Sequence, residues 1–201
     1  MPQDSPPAIV LASGSPRRAE LAMAEGWAVT VVPPPETAEA AASPRGDRET
    51  LEDYVIRLAC VKATAVADLG VTGLLLACDT IGEVEGEILG KPVDRSDAER
   101  MLRALSGRTH RVMTGVCLWR IPPTGGRGRR ITGSAESILS LPPLERSFLD
   151  DYLDSGLWVG KAGGCGFQDG RIPLRLLAGS PSNVVGLPLE LVREFLDKEH
   201  F

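Results

Sequence analysis

Two rhythms of apolar residues run along the chain. Ile9-Val10-Leu11-Ala12 is a short unbroken apolar run that reads as a buried strand. Ser13-Gly14-Ser15-Pro16 then turns into a helix, with Ser15 as N-cap and Pro16 at the first helical position, ending near Gly26. Trp27 to Val32 forms a second strand. Leu51, Tyr54, Val55, Leu58, Ala59, Ala65 and Val66 recur at helical spacing, and Gly70 supplies a C-cap. Leu74 to Cys78 is again continuously apolar and stops at Asp79, the form of a central strand with a carboxylate at its end. Ile81–Val84 and Glu87–Leu89 flank Glu85-Gly86 as a tight hairpin, and Ser96-Asp97-Ala98-Glu99 reads as a capping box opening a helix that ends near Gly107. Arg111 to Trp119 and Ile131 to Leu141 are longer strands. A helix through Leu144, Phe148, Leu149, Tyr152 and Leu153 follows, and Leu189 to Leu196 makes the last one. This alternation predicts an α/β domain, a mixed twisted sheet flanked by helices.

The intervening segments read as loops. Pro33 to Arg48 is rich in Pro, Ala and Gly and suits a surface loop, Pro122 to Arg130 a solvated linker, and Ser182 to Pro188 a turn before the last helix. Neither a repeat nor a change of composition divides the chain, so residues 1–201 read as one domain. Charge narrows the possible partners. With 22 basic and 27 acidic residues the net charge is −5, which argues against a broad nucleic-acid surface but allows a local cluster for a small anion. No apolar run reaches the roughly 18 residues of a membrane span, and Met1-Pro2-Gln3-Asp4 lacks the features of a secretory signal, so a cytoplasmic protein with no membrane partner is expected. Cys60, Cys78, Cys117 and Cys165 are scattered, with only His110 and His200 beside them, which disfavours structural zinc and predicts reduced thiols. Cys78 and Cys117, inside apolar strands, are expected to be small buried side chains.

Candidate chemistry concentrates in a few strings. Ser13-Gly14-Ser15-Pro16-Arg17-Arg18 leaves a strand and enters a helix whose unsatisfied N–H groups attract phosphate, with two guanidinium groups in its first turn. It is no Walker A loop, because the closing Gly-Lys-Ser/Thr is absent, and that disfavours a nucleotide kinase or GTP-driven switch. Asp79 and Thr80 place a carboxylate and a hydroxyl at a strand end, where open α/β sheets bind ligands, and Lys91 after the hairpin returns a cation toward the same mouth. Oxygen ligands of this kind select Mg2+ or Mn2+, with water and phosphate completing the coordination. Lys161 to Gln168 is too rich in glycine for a stable helix, and it carries one cation, Lys161, and one amide, Gln168, able to read a base edge.

In this order the strings resemble the Maf family of nucleotide pyrophosphatases over nearly the whole chain. The resemblance runs through Leu11–Arg18, Tyr54–Ala59 with Lys62-Ala63, Ala77–Thr80, Gly86–Pro92, Leu105–Gly107, His110–Val116, Lys161–Gly163 with Gln168, and Asn183–Pro188. It implies an inosine triphosphatase-like two-lobed fold with a central cleft, commonly a homodimer, hydrolysing nucleoside triphosphates to monophosphate and pyrophosphate with a divalent metal. On matching positions it implies Asp79 as the catalytic acidic residue, Arg17, Arg18, Lys62 and Lys91 as phosphate-facing cations, Ser13 and Ser15 in the phosphate loop, and Arg17, Thr80 and Gln168 as the specificity set. Asp79-Thr80 is similar to the branch acting on dTTP and UTP; the branch acting on 7-methyl-GTP carries Asp-Gln there. Two departures stand out. Ala38 falls where the family usually has a metal-binding acid, leaving Glu36 or Glu39 to complete a site with Asp79. Gly163 to Phe167 replaces the more usual Gly-Ala-Tyr-Gly-Ile. Two other readings are a non-catalytic nucleotide-binding regulator of cell division and a pyrophosphatase preferring purine or 7-methyl-GTP substrates. Asp79→Asn is expected to lose about a hundredfold to ten-thousandfold in rate and to spare the fold.

Overall fold

The computed structural model describes residues 6–40, 44–124 and 128–198. Strand β1 (Ala8–Ala12) leads through a turn into helix α1 (Pro16–Ala24), and β2 (Ala28–Val31) follows. Helix α2 (Glu36–Ala40) lies inside the segment expected to be loop, because its Ala38 is buried. Helix α3 (Leu51–Ala67) starts at Thr50, whose side chain accepts a hydrogen bond from the Asp53 amide, and ends at the C-cap Asp68; Gly70 adopts its left-handed backbone two residues later. Strand β3 (Gly73–Val84) runs unbroken through Asp79. The carboxylate therefore sits within a strand rather than at its end, a correction to the sequence reading: pairing of Gly82, Glu83 and Val84 with β4 (Glu87–Leu89) carries the ladder past the polar residues. Glu85 and Gly86 both have positive φ, as the mirror-image hairpin turn requires.

Helix α4 (Arg95–Leu105) starts at Asp94, whose side chain accepts from the Asp97 amide at 2.8 Å and from the Ser96 hydroxyl at 2.6 Å. The expected Ser96 cap is displaced because Asp94 already holds the capping position. Strands β5 (Thr109–Ile121) and β6 (Arg129–Ser140) precede helix α5 (Arg146–Asp154). Two short 3-10 turns, Ala162–Gly164 and Phe167–Asp169, occupy the glycine-rich string. Strand β7 (Arg175–Ala178), which the sequence did not announce, pairs antiparallel with β6 across a bulge at Ile138/Leu139. The expected turn at Ser182 becomes the short helix α6 (Pro181–Val185), and α7 (Leu189–Asp197) closes the described chain. Among the described residues the sheet has seven strands in the order β2-β1-β3-β5-β6-β7, with β4 on β3. Parallel pairs (β1 with β2 and β3) and antiparallel ones (β3 with β4, β6 with β7) make it mixed, as expected.

The chain forms two compact units. Of the described residues, the first holds 6–40, 44–79, 114–124, 128–134 and 186–198, and the second holds 80–113 and 135–185. In the first unit, strand alternation sorts the core onto two faces. Ile9, Leu11, Leu74, Leu76, Cys78, Val116 and Leu118 pack with α1 and α7 through Ala22, Leu189, Val192 and Phe195. Ala12, Leu75, Ala77 and Cys117 pack with Ala59, Ala63 and Val66 of α3. The second unit has its own core of Val84, Leu89, Met101, Leu102, Leu105, Leu141, Leu149 and Tyr152, drawn from the hairpin, α4, α5 and the residue that follows β6. Among the described residues no helix is long and apolar enough to cross a membrane.

Candidate active site

Alternation along β3 decides where Asp79 points. Leu75 and Ala77 face α3, so Asp79 does too. There it meets Lys62, which interrupts the apolar face of α3 made by Ala59, Ala63 and Val66, and the two form an ion pair with side chains 13% and 10% exposed. A lysine at that depth requires a carboxylate, because burying an unpaired charge costs several kcal/mol (roughly). Thr80, the next residue of the same continuous strand, projects from the opposite face.

The turn from β1 into α1 is built around Ser13. Its backbone N–H bonds to the Leu11 carbonyl at 2.9 Å, and its hydroxyl oxygen accepts from the Ser15 amide at 3.2 Å and from Arg18 Nη1 at 3.3 Å. Arg18 Nη1 also donates to the Cys78 carbonyl at 3.0 Å and Nε donates to the Gly186 carbonyl at 2.7 Å. Arg18 thus ties the first turn of α1 to the residue preceding Asp79 and to the segment leading into α7. Ser15 takes the N-cap position, with extended backbone, yet its hydroxyl caps nothing and Pro16 supplies the first helical residue. Arg17 is half-buried and makes no hydrogen bond or ion pair among the described residues.

The first unit therefore brings together Ser13, Ser15, Arg18, Lys62 and Asp79, with Arg17 beside Arg18 on α1. Glu36 is the exposed first residue of α2, and the side chain of Glu39 lies outside the described residues. Among the described residues there is no group of three or more His, Cys, Asp and Glu side chains arranged to hold a metal.

The remaining expected site residues belong to the second unit. Exposed Lys91 follows β4, and the Gly163 amide donates to the Gly90 carbonyl at 2.9 Å, which seats the loop of Lys91 against the loop of half-buried Lys161. Gly163 holds φ of 67° to make that approach, and Gln168 is exposed in the second 3-10 turn. The sequence reading missed a buried carboxylate here. Glu83 accepts from Arg111 Nε at 2.6 Å and from the Gly86 amide, while Arg111 also reaches Glu136 at 3.4 Å. An acid inside the strand Ile81–Val84 was the available signal. Asn183, nearly fully buried, donates to Ser137 Oγ at 2.9 Å and to the Val112 carbonyl at 3.2 Å, which binds α6 to β6 and β5.

Comparison with known proteins gives this arrangement its context. A profile of the Maf-like proteins matches residues 8–199. A dTTP/UTP pyrophosphatase of Rhodopirellula baltica is 43% identical over 96% of this chain and 82% of its own length. Proteins of the same name from Sphingopyxis alaskensis (42%, covering 94% of this chain and 95% of the relative) and Symbiobacterium thermophilum (40%, covering 94% and 92%) are similarly close. The strand-to-helix turn braced by Arg18, the buried Lys62–Asp79 pair and a profile match that spans the described residues almost end to end agree with one another: the chain belongs to the family of Maf-like proteins.

Proposed function

We propose that this chain is a nucleoside triphosphate pyrophosphatase that cleaves dTTP and UTP between the α- and β-phosphates, releasing the monophosphate and pyrophosphate. The observation that carries the reading is the hydrogen bond from Arg18 to the Cys78 carbonyl. It fixes a phosphate-attracting helix start, with Arg17 in its first turn, against the strand residue next to Asp79. The relatives' shared name supplies the substrate class, and Thr80 and Gln168 are proposed to recognise the pyrimidine base.

The chemistry follows from charge. Water must attack the α-phosphorus while pyrophosphate leaves, and negative charge on the phosphates opposes the attack until cations neutralise it. Arg17 and the α1 amides are proposed to hold the polyphosphate, with Lys91 and Lys161 assisting. Asp79 orients the attacking water and accepts its proton; Lys62 pairs with that carboxylate and fixes it on the α3 face. The donor set fits a hard divalent ion that arrives with its substrate: Asp79 offers carboxylate oxygen, and an ion such as Mg2+ or Mn2+ needs only one or two carboxylates when phosphate and water supply the rest. Asp79 would hold it, with Glu36 or Glu39 as the proposed second ligand. When bound, such an ion would neutralise phosphate charge at the reacting centre. A homodimer working in the cytoplasm completes the proposal.

The test is pyrophosphate release from a panel of triphosphates with Mg2+ or Mn2+, for the wild type and Asp79→Asn. The expected result is that dTTP and UTP lead the panel and that Asp79→Asn loses about a hundredfold to ten-thousandfold in rate. Binding without turnover, or a panel led by purines, would overturn the reading. The ion pair with Lys62 also bears on what is expected of this variant's stability. Asp79 is the partner of a buried lysine, so Asn at this position is expected to lower stability as well as rate.

A further inference from the structure

On β5, alternation places Gly115, Cys117 and Trp119 on the face turned toward α3, opposite Val116 and Leu118. The approach there is unusually close: a Cβ at Gly115 would lie 2.1 Å from the carbonyl oxygen of Val55. One helical turn farther along α3, Cys60 packs against the buried cluster that holds Cys117 of β5, which brings the two thiols within hydrogen-bonding reach of each other. Cys117 is fully buried. Cys60 is half-buried and opens onto a groove of about 460 Å³ between α2 and α3, lined also by Ala38, Arg57, Val61 and Thr64. A buried thiol is thus hydrogen-bonded to one that small solutes can reach. That is the arrangement of an attacking and a resolving cysteine.

We propose that Cys60 and Cys117 are a redox-active dithiol that a hydroperoxide such as hydrogen peroxide closes to an intramolecular disulfide. The Cys60 thiolate sulfur attacks one peroxide oxygen, the O–O bond breaks, and the other oxygen leaves as hydroxide and is protonated to water. The resulting sulfenic acid is attacked by the Cys117 sulfur; the S–O bond breaks, and hydroxide leaves to combine with the Cys117 thiol proton as a second water. Two thiols and one peroxide become one disulfide and two waters, the sulfurs oxidised and the peroxide reduced.

The electrostatics agree with these roles. The hydrogen bond from the Cys117 thiol lowers the Cys60 thiol to about 7, with the Arg130 guanidinium adding to the effect, while Cys117 is pushed upward by the same bond and by burial. Cys60 is therefore the nucleophile near neutral pH. The conversion of its thiolate to a neutral sulfenic acid removes the negative charge that holds the Cys117 proton, so the first step prepares the second. Cys78 does not compete, since it is buried on the other face of the sheet and its thiol is pushed up to about 11. The proposal does not depend on the pyrophosphatase reading.

The experiment treats the folded full chain with hydrogen peroxide, traps remaining thiols with an alkylating agent in denaturant, and maps the peptides by mass spectrometry. Expected is one peptide pair joined through Cys60 and Cys117, a loss of about 2 Da per chain, and reversal by dithiothreitol. Two of the four thiols become unavailable to the trap. Before oxidation, alkylation of Cys60 should reach half its plateau rate near pH 7. Cys60→Ser should abolish the joined pair without changing the thermal midpoint, and it serves where Cys117→Ala does not fold. Cys60 carried to sulfinic acid, a disulfide between two chains, or no joined pair would each overturn the proposal.

Discussion

The contact between α3 and β5 is set by a missing side chain, and Gly115→Ala tests it directly. The added Cβ would lie 2.1 Å from the Val55 oxygen, 2.2 Å from the Val55 carbonyl carbon and 2.6 Å from the Ile56 nitrogen. All three are backbone atoms inside a 17-residue helix, so no rotamer change relieves the clash. Ordinary contact begins near 3.4 Å, and α3 must therefore retreat by about 1 Å, which loosens Ala59, Ala63 and Val66 against Leu75, Ala77 and Cys117. Overpacking a well-filled core typically costs 1–3 kcal/mol, and a backbone-to-backbone clash belongs at the top of that range, about 3 kcal/mol. For a chain of this length each kcal/mol moves the midpoint by roughly 2–4 °C, so a drop of roughly 10 °C is expected. Gly46→Ala is the matched control, since its Cβ would meet only Glu49 Cβ at 3.8 Å. Urea titration and calorimetry of both variants make the comparison. If Gly115→Ala stayed within about 1 kcal/mol of the wild type, the rigid seating of α3 on the sheet would be refuted.

Two further outcomes follow from buried charge. Lys62→Met should destabilise by about 3 kcal/mol, because Asp79 is left at depth without its ammonium partner, while Lys62→Arg should lose much less. A double-mutant cycle with Asp79→Asn should show coupling of at least about 1 kcal/mol, and additive effects would deny the pair. His110 is buried on β5 with Nδ1 unbonded among the described residues, and burial lowers its pKa to about 4. Between the ordinary 6.5 and about 4, the unfolded chain takes up a proton that the folded chain refuses. Its contribution to stability is therefore whole above pH 6.5 and falls as pH drops through that window, by about 3 kcal/mol at most. His110→Gln should flatten that part of the stability–pH curve measured by urea unfolding, and a variant that falls as steeply as the wild type would contradict the assignment.

The parts of the fold that local pattern determines were legible, and the exceptions have tertiary causes. Apolar runs marked β1 and the first half of β3, helical spacing marked α3, and Glu85-Gly86 marked the hairpin, because each signal is confined to neighbouring residues. Asp79 and Thr80 look like a strand end since apolarity stops there, but hydrogen bonding to β4 is blind to side-chain polarity. Helix α2 has no amphipathic length of its own and rests on the burial of Ala38. Strand β7 is four residues with two exposed ends, formed by pairing with β6. At α4, Asp94 and Ser96 are both competent caps, and composition alone cannot choose between them.

The central pair of the site was half written in the sequence. Lys62 stands among Ala59, Ala63 and Val66 at helical spacing, and a lysine on an apolar face needs an acid of matching depth. Asp79 shares strand parity with Leu75 and Ala77, the residues that pack on that same helix face. Parity and helical phase together select this partner, provided α3 lies on the odd-numbered face of β3, and only the assembled unit fixes that choice. Arg18 had no comparable signal. Beside Arg17 it reads as a second phosphate clamp, whereas in the fold its guanidinium joins Ser13, Cys78 and Gly186 from three separate segments. Adjacent identical residues thereby acquire different mechanical duties: Arg18 locks the start of α1 to the strand that carries Asp79, and Arg17 makes no bond to the described chain. A charge-removing change at Arg18 should consequently lower stability and activity together, whereas the same change at Arg17 should weaken triphosphate binding in a chain that unfolds as the wild type does.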